Sequence, residues 1–289
     1  MNRSMPTPLG AFAPLLAALN LATMAASPLV ADDKETTPFE GVRYVHRHVS
    51  DPREIDMHLV FVDLTRPGVR VVTTGPNEDR NTETDVETTR QFAERTGAAI
   101  AINGGFYALT KEAMQTGKTD LVSLAVSDGV VISPWGTGQF DAVNIGADNV
   151  VTFIRQAKDD STGSMTAPPV KLFNAISGNV RLIDGGKILA KGGNPTYPQT
   201  AVGHTADRRL ILFVSDGRQR FSAGMTYEEL ANVLAEFGAV DAIAFDGGGS
   251  ATIVMKDPAT GKPQVLNRPS DGRERRVGNN LGIILEAKK

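Results

Sequence analysis

The chain has 289 residues, enough for one large domain or two small ones with a full hydrophobic core. With 41% apolar and 22% charged residues its composition is that of a globular protein, which excludes a disordered or fibrous chain. A formal net charge of −3 leaves no electrostatic footprint for nucleic acid, and the absence of cysteine excludes a disulfide framework, a thiolate metal site and a cysteine nucleophile.

Residues 1–31 read as a signal peptide. Arg3 supplies the positive charge, Leu9 to Ala26 an Ala/Leu-rich core, and Leu29-Val30-Ala31 a small-residue cleavage site before Asp32-Asp33. Pro14 and Asn20 interrupt the run, which falls short of the ~20 continuous apolar residues a spanning helix needs. The expected mature protein starts at Asp32, has no stable membrane span, and is periplasmic or secreted. Residues 32–55 read as a leader, mildly strand-like from Val42 to Val49, and residues 56–289 as one domain.

His58 to Leu64 and Val69 to Thr74 are β-rich runs around Arg66-Pro67-Gly68, which reads as a hairpin turn. Thr84 and Glu87 have capping-box spacing, so a short helix is predicted from Asp85 to Thr96, stopped by Gly97. Ala98 to Ile102 is a buried-strand run that ends in Asn103-Gly104-Gly105-Phe106-Tyr107. Asp128-Gly129 and Asp184-Gly185-Gly186 mark two hairpins, and the polar stretch from Ala157 to Pro169 reads as an exposed loop. Thr200 to Thr205 and Leu210 to Val214 pair across a turn, and the second run delivers Ser215-Asp216-Gly217-Arg218. Thr226 and Glu229 repeat the capping spacing before the apolar stripe Leu230, Val233, Leu234 and Phe237, closed by Gly238. Val240 to Phe245 then leads into Asp246-Gly247-Gly248-Gly249-Ser250, and Leu281 to Leu285 is the last strand. The fold class is α+β: mixed, largely antiparallel sheets with two or three helices in a single domain.

Twice, helix, Gly-Ala and apolar strand precede Asn-Gly-Gly or Asp-Gly-Gly. Asp246 emerges from a buried strand beside three glycines, whose N–H groups can converge on an anion or lie against a substrate. A tight turn before Thr252-Ile253-Val254 accounts for the same glycines. Asn103 can donate and accept, and Phe106 and Tyr107 can stack on a sugar ring, although a turn with core aromatics fits as well. Asp216 and Arg218 set an acid and a phosphate-gripping guanidinium two residues apart; a local ion pair is the alternative. Arg273, Arg275 and Arg276 offer further cations on a run broken by Asp271 and Glu274, which reads as a solvated or site-lining loop. The four histidines, His46, His48, His58 and His204, are scattered and no His-Glu-x-x-His is present, which argues against a zinc hydrolase. There is no P-loop or dinucleotide fingerprint, Thr252 breaks a Gly-x-Ser-x-Gly elbow at Ser250, and no cofactor is expected.

Taken in order, Asn103-Gly104-Gly105-Phe106, Thr200-Ala201-Val202-Gly203, Ser215-Asp216-Gly217-Arg218, the helix from Thr226, Asp246-Gly247-Gly248-Gly249-Ser250 and Asn267-Arg268-Pro269-Ser270 through Arg276 resemble the phosphodiester glycosidase family. The resemblance implies hydrolysis of the C1–O bond of a sugar-1-phosphodiester or related glycan. Asp246 and Asp216 are then the catalytic candidates. Asn103, Gly104, Gly105, Phe106, Tyr107, Thr200, Arg218, Gly247, Gly248, Gly249, Ser250 and Arg276 are the candidates for substrate contact. The family pattern has Arg directly before Thr-Ala-x-Gly, where this chain has Gln199. A catalytically inactive glycan-binding envelope module is the alternative that this departure permits, and a phosphodiesterase cutting P–O would call for a metal cluster of acids and histidines.

Overall fold

Alternation along the strands sets the layers of the computed structural model, which describes Met1 and residues 31–286 apart from 79–80, 138–139, 160–161 and 168. The expected signal peptide lies almost wholly outside the described residues. An eight-stranded antiparallel sheet runs in the order Ala31–Phe39, Val42–Val49, Ile55–Asp63, Arg209–Ser215, Gln199–Thr205, Ala239–Ala244, Val180–Asp184, Lys187–Ile188. Along Ile55–Asp63, Leu59 and Phe61 join one core while Val60 and Val62 join another, so both faces of the sheet are covered.

On the first face, Leu230, Ala231 and Leu234 of the helix Tyr227–Glu236 pack on Leu59, Phe61 and Phe213. On the second, Val60, Val62, Leu212 and Val214 meet Ile100, Ile102, Ile253 and Ile283. The latter belong to a five-stranded sheet ordered Pro263–Val265, Ile253–Lys256, Ile100–Asn103, Asn280–Leu285, Val69–Thr73. Each such buried Leu or Ile stabilises by about 1.5–3 kcal/mol relative to exposure, which is what joins the layers. The outer face of this sheet carries the helix Thr89–Thr96 through Phe92 and Ala93 against Ala98, Ala101 and Val254. A further five-stranded sheet, ordered Val151–Arg155, Asp141–Ile145, Asn174–Gly178, Ala125–Ser127, Val130–Ser133, adds Val143, Ile145 and Ile176 to the shared core. No helix among the described residues is long and apolar enough to cross a membrane.

The α+β class, the antiparallel pairing and the second capped helix are as expected, Thr226 and Glu229 forming a reciprocal capping box. Four local expectations change. Arg66-Pro67-Gly68 closes no hairpin: Ile55–Asp63 and Val69–Thr73 lie in different sheets, and the turn carries the chain between layers. The first helix begins at Thr89, with Thr88 and Gln91 as its capping box, because Thr84–Asp85 is drawn into a pairing with Lys118–Thr119. A short helix, Lys111–Thr116, capped by Thr110, was not anticipated from the sequence pattern. Residues 32–55, expected to be a leader, supply the edge hairpin of the large sheet, and the 157–169 stretch contains the paired short strands Ala157–Lys158 and Met165–Thr166.

Candidate active site

The two Gly-Gly motifs end strands of different sheets, and their backbones meet. Asn103 Nδ2 donates to the Asp246 carbonyl at 2.6 Å, and Asp246 N–H donates to the Gly104 carbonyl at 3.1 Å. Asn103 Oδ1 accepts from Thr200 Oγ1 at 2.8 Å and from Thr252 N–H at 3.1 Å. Asn103 and Thr200 are fully buried. They join the sheets, whereas the sequence pattern placed them against substrate.

The Asp246 side chain has a mixed environment. Burial pushes its carboxyl up to about 6, opposed by a hydrogen bond from Ser250, the charge of Arg275 and the Gly247 N–H. Burial is the main cause that raises the Tyr107 and Tyr227 phenols, and the Asp246 charge adds to both, so both rings stand near it. Tyr107 itself is buried and donates to the Arg276 carbonyl at 3.0 Å, leaving Phe106, 37% exposed, as the open aromatic face of the motif. Tyr197 OH donates to Tyr227 OH in a short contact, Asn179 Nδ2 donates to the same oxygen at 2.5 Å, and the two rings meet edge to face. One wall of the site is thus neutral and rich in hydroxyl and amide groups.

The other wall is cationic. Arg275 Nη1 lies 3.4 Å from Ser250 Oγ, and its guanidinium also pairs with Asp271 at 2.7 Å. Gly249 makes this approach possible, since a Cβ there would fall 2.0 Å from Arg275 Nη2. Gly248, at φ +61°, lies under the Arg218 guanidinium, with 3.2 Å from a notional Cβ to Nη1. The Arg218 guanidinium has no hydrogen-bond or ion-pair partner among the described residues. Arg276 donates to the Met114 carbonyl at 2.6 Å. Beside Arg275 opens a cavity of about 560 Å³ lined by Leu109, Met114 and the 271–276 loop, Arg273 included.

Asp216, expected as a second acid, is 1% exposed, and its carboxylate accepts from the Arg268 N–H at 2.8 and 3.1 Å and from Asn267 Nδ2 at 3.1 Å. Burial raises it to about 6, with the Asp56 charge adding and the Arg268 and Asn267 hydrogen bonds opposing. Its contacts hold the start of the arginine-bearing loop. Gln199, at the position where the family pattern has Arg, is fully buried, its Nε2 donating to the Met225 carbonyl at 2.8 Å and its Oε1 without a hydrogen-bond partner among the described residues.

Three of the histidines are not scattered. His46 and His48 on one strand face Asp56 and His58 on the next, with His46 Nε2 2.6 Å from Asp56 Oδ1 and the His46 and His58 rings stacked. Burial drives the His58 pKa down to about 3, the His46 charge adding and Asp56 opposing. The His-x-His and Asp-x-His patterns carry this signal, since alternate strand residues share a face. Tyr197, Tyr227 and Asn179 had no comparable signal, because nothing local relates them to Asp246, whereas Arg275 belongs to the cationic run noted in the sequence.

The profile of the phosphodiester glycosidase family matches residues 96–284. Over 195 residues the chain is 31% identical to the N-acetylglucosamine-1-phosphodiester alpha-N-acetylglucosaminidase of Mus musculus, covering 61% of this chain and 35% of that protein. It is 26% identical over 227 residues to an SPbeta prophage-derived uncharacterized protein of Bacillus subtilis, covering 69% and 30%. The chain therefore spans about a third of the length of these relatives. Among solved structures, the catalytic domain of zebrafish N-acetylglucosamine-1-phosphodiester alpha-N-acetylglucosaminidase, auto-inhibited by its pro-peptide, superposes with a TM-score of 0.59 at 24% identity, over 91% of this chain and 85% of that one. A hypothetical protein from Synechocystis gives 0.67 at 15% identity, over 91% and 64%.

Proposed function

This chain belongs to the phosphodiester glycosidase family, and on that premise we propose that it hydrolyses the C1–O bond of a sugar-1-phosphodiester, with Asp246 as the carboxylate that faces the anomeric carbon. The observation that carries the reading is a half-buried carboxyl with neutral phenol and amide groups on one side and guanidinium groups on the other. The sugar fits the first wall, where Tyr197, Tyr227 and Asn179 offer neutral hydrogen bonds. The phosphate fits the second, where Arg218 stands unpaired among the described residues and Arg275 reaches Ser250.

The chemistry follows from the charges. Cleavage passes through an oxocarbenium-like state, which an ionised Asp246 stabilises or traps. The departing phosphate is already a stable anion, so it needs cationic neutralisation more than a proton, and one carboxylate suffices. Asp216 is in this reading a positioning residue, because its oxygens are engaged by Arg268 and Asn267. Gln199, which motivates the alternative of an inactive glycan-binding module, is fully buried with its Nε2 on the Met225 carbonyl. The names of the mammalian relatives support a sugar-1-phosphodiester as the substrate class.

Incubation with sugar-1-phosphodiesters in H₂¹⁸O tests the proposal. The expected products are a free reducing sugar carrying the label and an unlabelled phosphomonoester. Sugar-1-phosphate as product would mean P–O cleavage, and binding without turnover would mean a glycan-binding module. Export belongs to the same proposal: exported material should have an intact mass starting at Asp32, and an unprocessed Met1 terminus on exported protein would overturn it.

A further inference from the structure

The large sheet gathers imidazoles that the glycosidase reading does not use. His46 and His48 alternate along Val42–Val49, Asp56 and His58 along Ile55–Asp63, and the register sets His46 opposite His58 and His48 opposite Asp56. Cross-strand partners and their next neighbours on one face lie within reach of one another. Ligand-capable atoms of His46, Asp56 and His58 all fall within 4.8 Å of one another, the one such group of three found among the described residues.

His58 supplies the independent sign of a ligand. It is 3% exposed, and its Nε2 has no hydrogen-bond partner among the described residues. Buried polar atoms are almost always satisfied, so an orphaned one calls for a group to satisfy it. The other nitrogen, Nδ1, lies 2.7 Å from Tyr44 OH. If Nδ1 carries the proton and donates it to the tyrosine oxygen, Nε2 is left with a free lone pair. Metal-bound histidines are held in the same way, the far nitrogen donating to a fixed partner.

We propose that His46, Asp56 and His58 form a binding site for a divalent transition-metal ion of the Zn²⁺ class, with two imidazole nitrogens and one carboxylate oxygen as ligands. Nitrogen donors with a single carboxylate select Zn²⁺, Co²⁺ or Ni²⁺ over Mg²⁺ and Ca²⁺, which want oxygen alone. His48 Nδ1, 3.7 Å from Asp56 Oδ1, stands at the edge of the group as a further donor. The His46 ring is partly exposed and gives the ion a way in. Binding replaces the His46 to Asp56 hydrogen bond, and the rings, stacked with centroids 4.7 Å apart, tilt until their lone pairs converge on the ion. Asp216 N–H donates to the Asp56 carbonyl at 3.0 Å, so the ion fastens the edge hairpin beside the strand Arg209–Ser215 that leads into Asp216. Its role is structural, and the site stands whether or not the glycosidase reading does.

Protein without a histidine tag, stripped with a chelator and dialysed, is titrated with ZnCl₂ by calorimetry and melted with and without the ion. One saturable Zn²⁺ equivalent and a raised Tm are expected, because an ion that binds only the folded state stabilises it. His46→Gln and Asp56→Asn should each weaken binding by at least about tenfold, whereas His204→Asn, on a different strand, should bind as wild type. His46 is partly exposed, so His46→Gln is expected to fold, and circular dichroism checks this. Absence of saturable binding by the wild type, retention of full affinity in both His46→Gln and Asp56→Asn, or an equal loss in His204→Asn would each overturn the proposal.

Discussion

Replacing Asp246 by Asn separates what the half-buried carboxylate does for the reaction from what it costs the fold. Its carboxyl is raised from the ordinary 3.8 to about 6, chiefly by burial. A folded pKa above the unfolded one favours the native state below the unfolded value, and that contribution is lost as pH rises through the folded value. For Asp246 the loss runs from about pH 4 to pH 6 and amounts to about 3 kcal/mol by pH 8, an upper figure because the site is partly open to water. Asn keeps the shape without the charge. The variant should therefore melt higher than wild type at pH 8, by roughly 3–8 °C for a chain of this size, with the gain shrinking to almost nothing near pH 4. Its activity should fall by about 10²-fold or more, while wild-type kcat/KM should show an acid limb near pH 6. Calorimetry at pH 4, 6 and 8 reads the first effect and steady-state kinetics the second. A Tm difference independent of pH would refute the burial argument, and activity within about threefold of wild type would remove Asp246 from catalysis.

Other substitutions probe the two walls and the frame. Arg218→Ala should lower kcat/KM on sugar-1-phosphodiesters by roughly tenfold or more, the scale of a charge-assisted hydrogen bond, and leave uncharged aryl glycosides nearly unchanged; equal losses on both would mean that Arg218 does not read phosphate. Gly249→Ala places a methyl 2.0 Å from the tip of Arg275, a flexible end that can swing away, so activity should drop with little change in Tm. Gly105→Ala meets the Ser177 carbonyl at 2.3 Å, which is backbone, so Tm should fall as well. Gln199→Arg buries a cation beside the Met225 carbonyl and should destabilise by about 3–5 kcal/mol; an unchanged Tm with better phosphodiester turnover would place residue 199 in the cleft.

The parts of the site legible in the sequence are those that local rules control. Buried apolar runs ending in Asn103-Gly104-Gly105 and Asp246-Gly247-Gly248 announce strand ends, and both are found there, although Gly104, Gly105 and Gly248 are themselves buried. That the two ends hydrogen-bond across 143 positions is a matter of sheet pairing, which no local pattern carries. The same limit explains Arg66-Pro67-Gly68, whose turn chemistry is equally good for a hairpin and for a change of sheet. Thr84 with Glu87 and Thr88 with Gln91 both have capping-box spacing, and only the pairing of Thr84–Asp85 with Lys118–Thr119 decides between them. His46, His48 and His58 look scattered when counted along the chain but share a face once strand alternation is applied. Asp216 was visible as a carboxylate at a strand end, yet the Arg268 backbone that occupies it lies 52 positions away.

The Asn103 brace makes the proposed catalytic geometry a gauge of how two sheets are registered. One amide side chain ties the end of Ile100–Asn103 to the backbone of Asp246 and to Thr200 of the other sheet, with no loop in between. A slip between the layers would therefore move Asp246 relative to Gly104 directly, with nothing flexible to absorb it. The Asp246 amide, donating to Gly104, should accordingly exchange its hydrogen only in whole-domain opening events, while amides of the 271–276 loop exchange through local ones. Heating or denaturant would then extinguish turnover in step with the global transition, and evolution could rewrite the rims of the cleft while leaving its floor untouched.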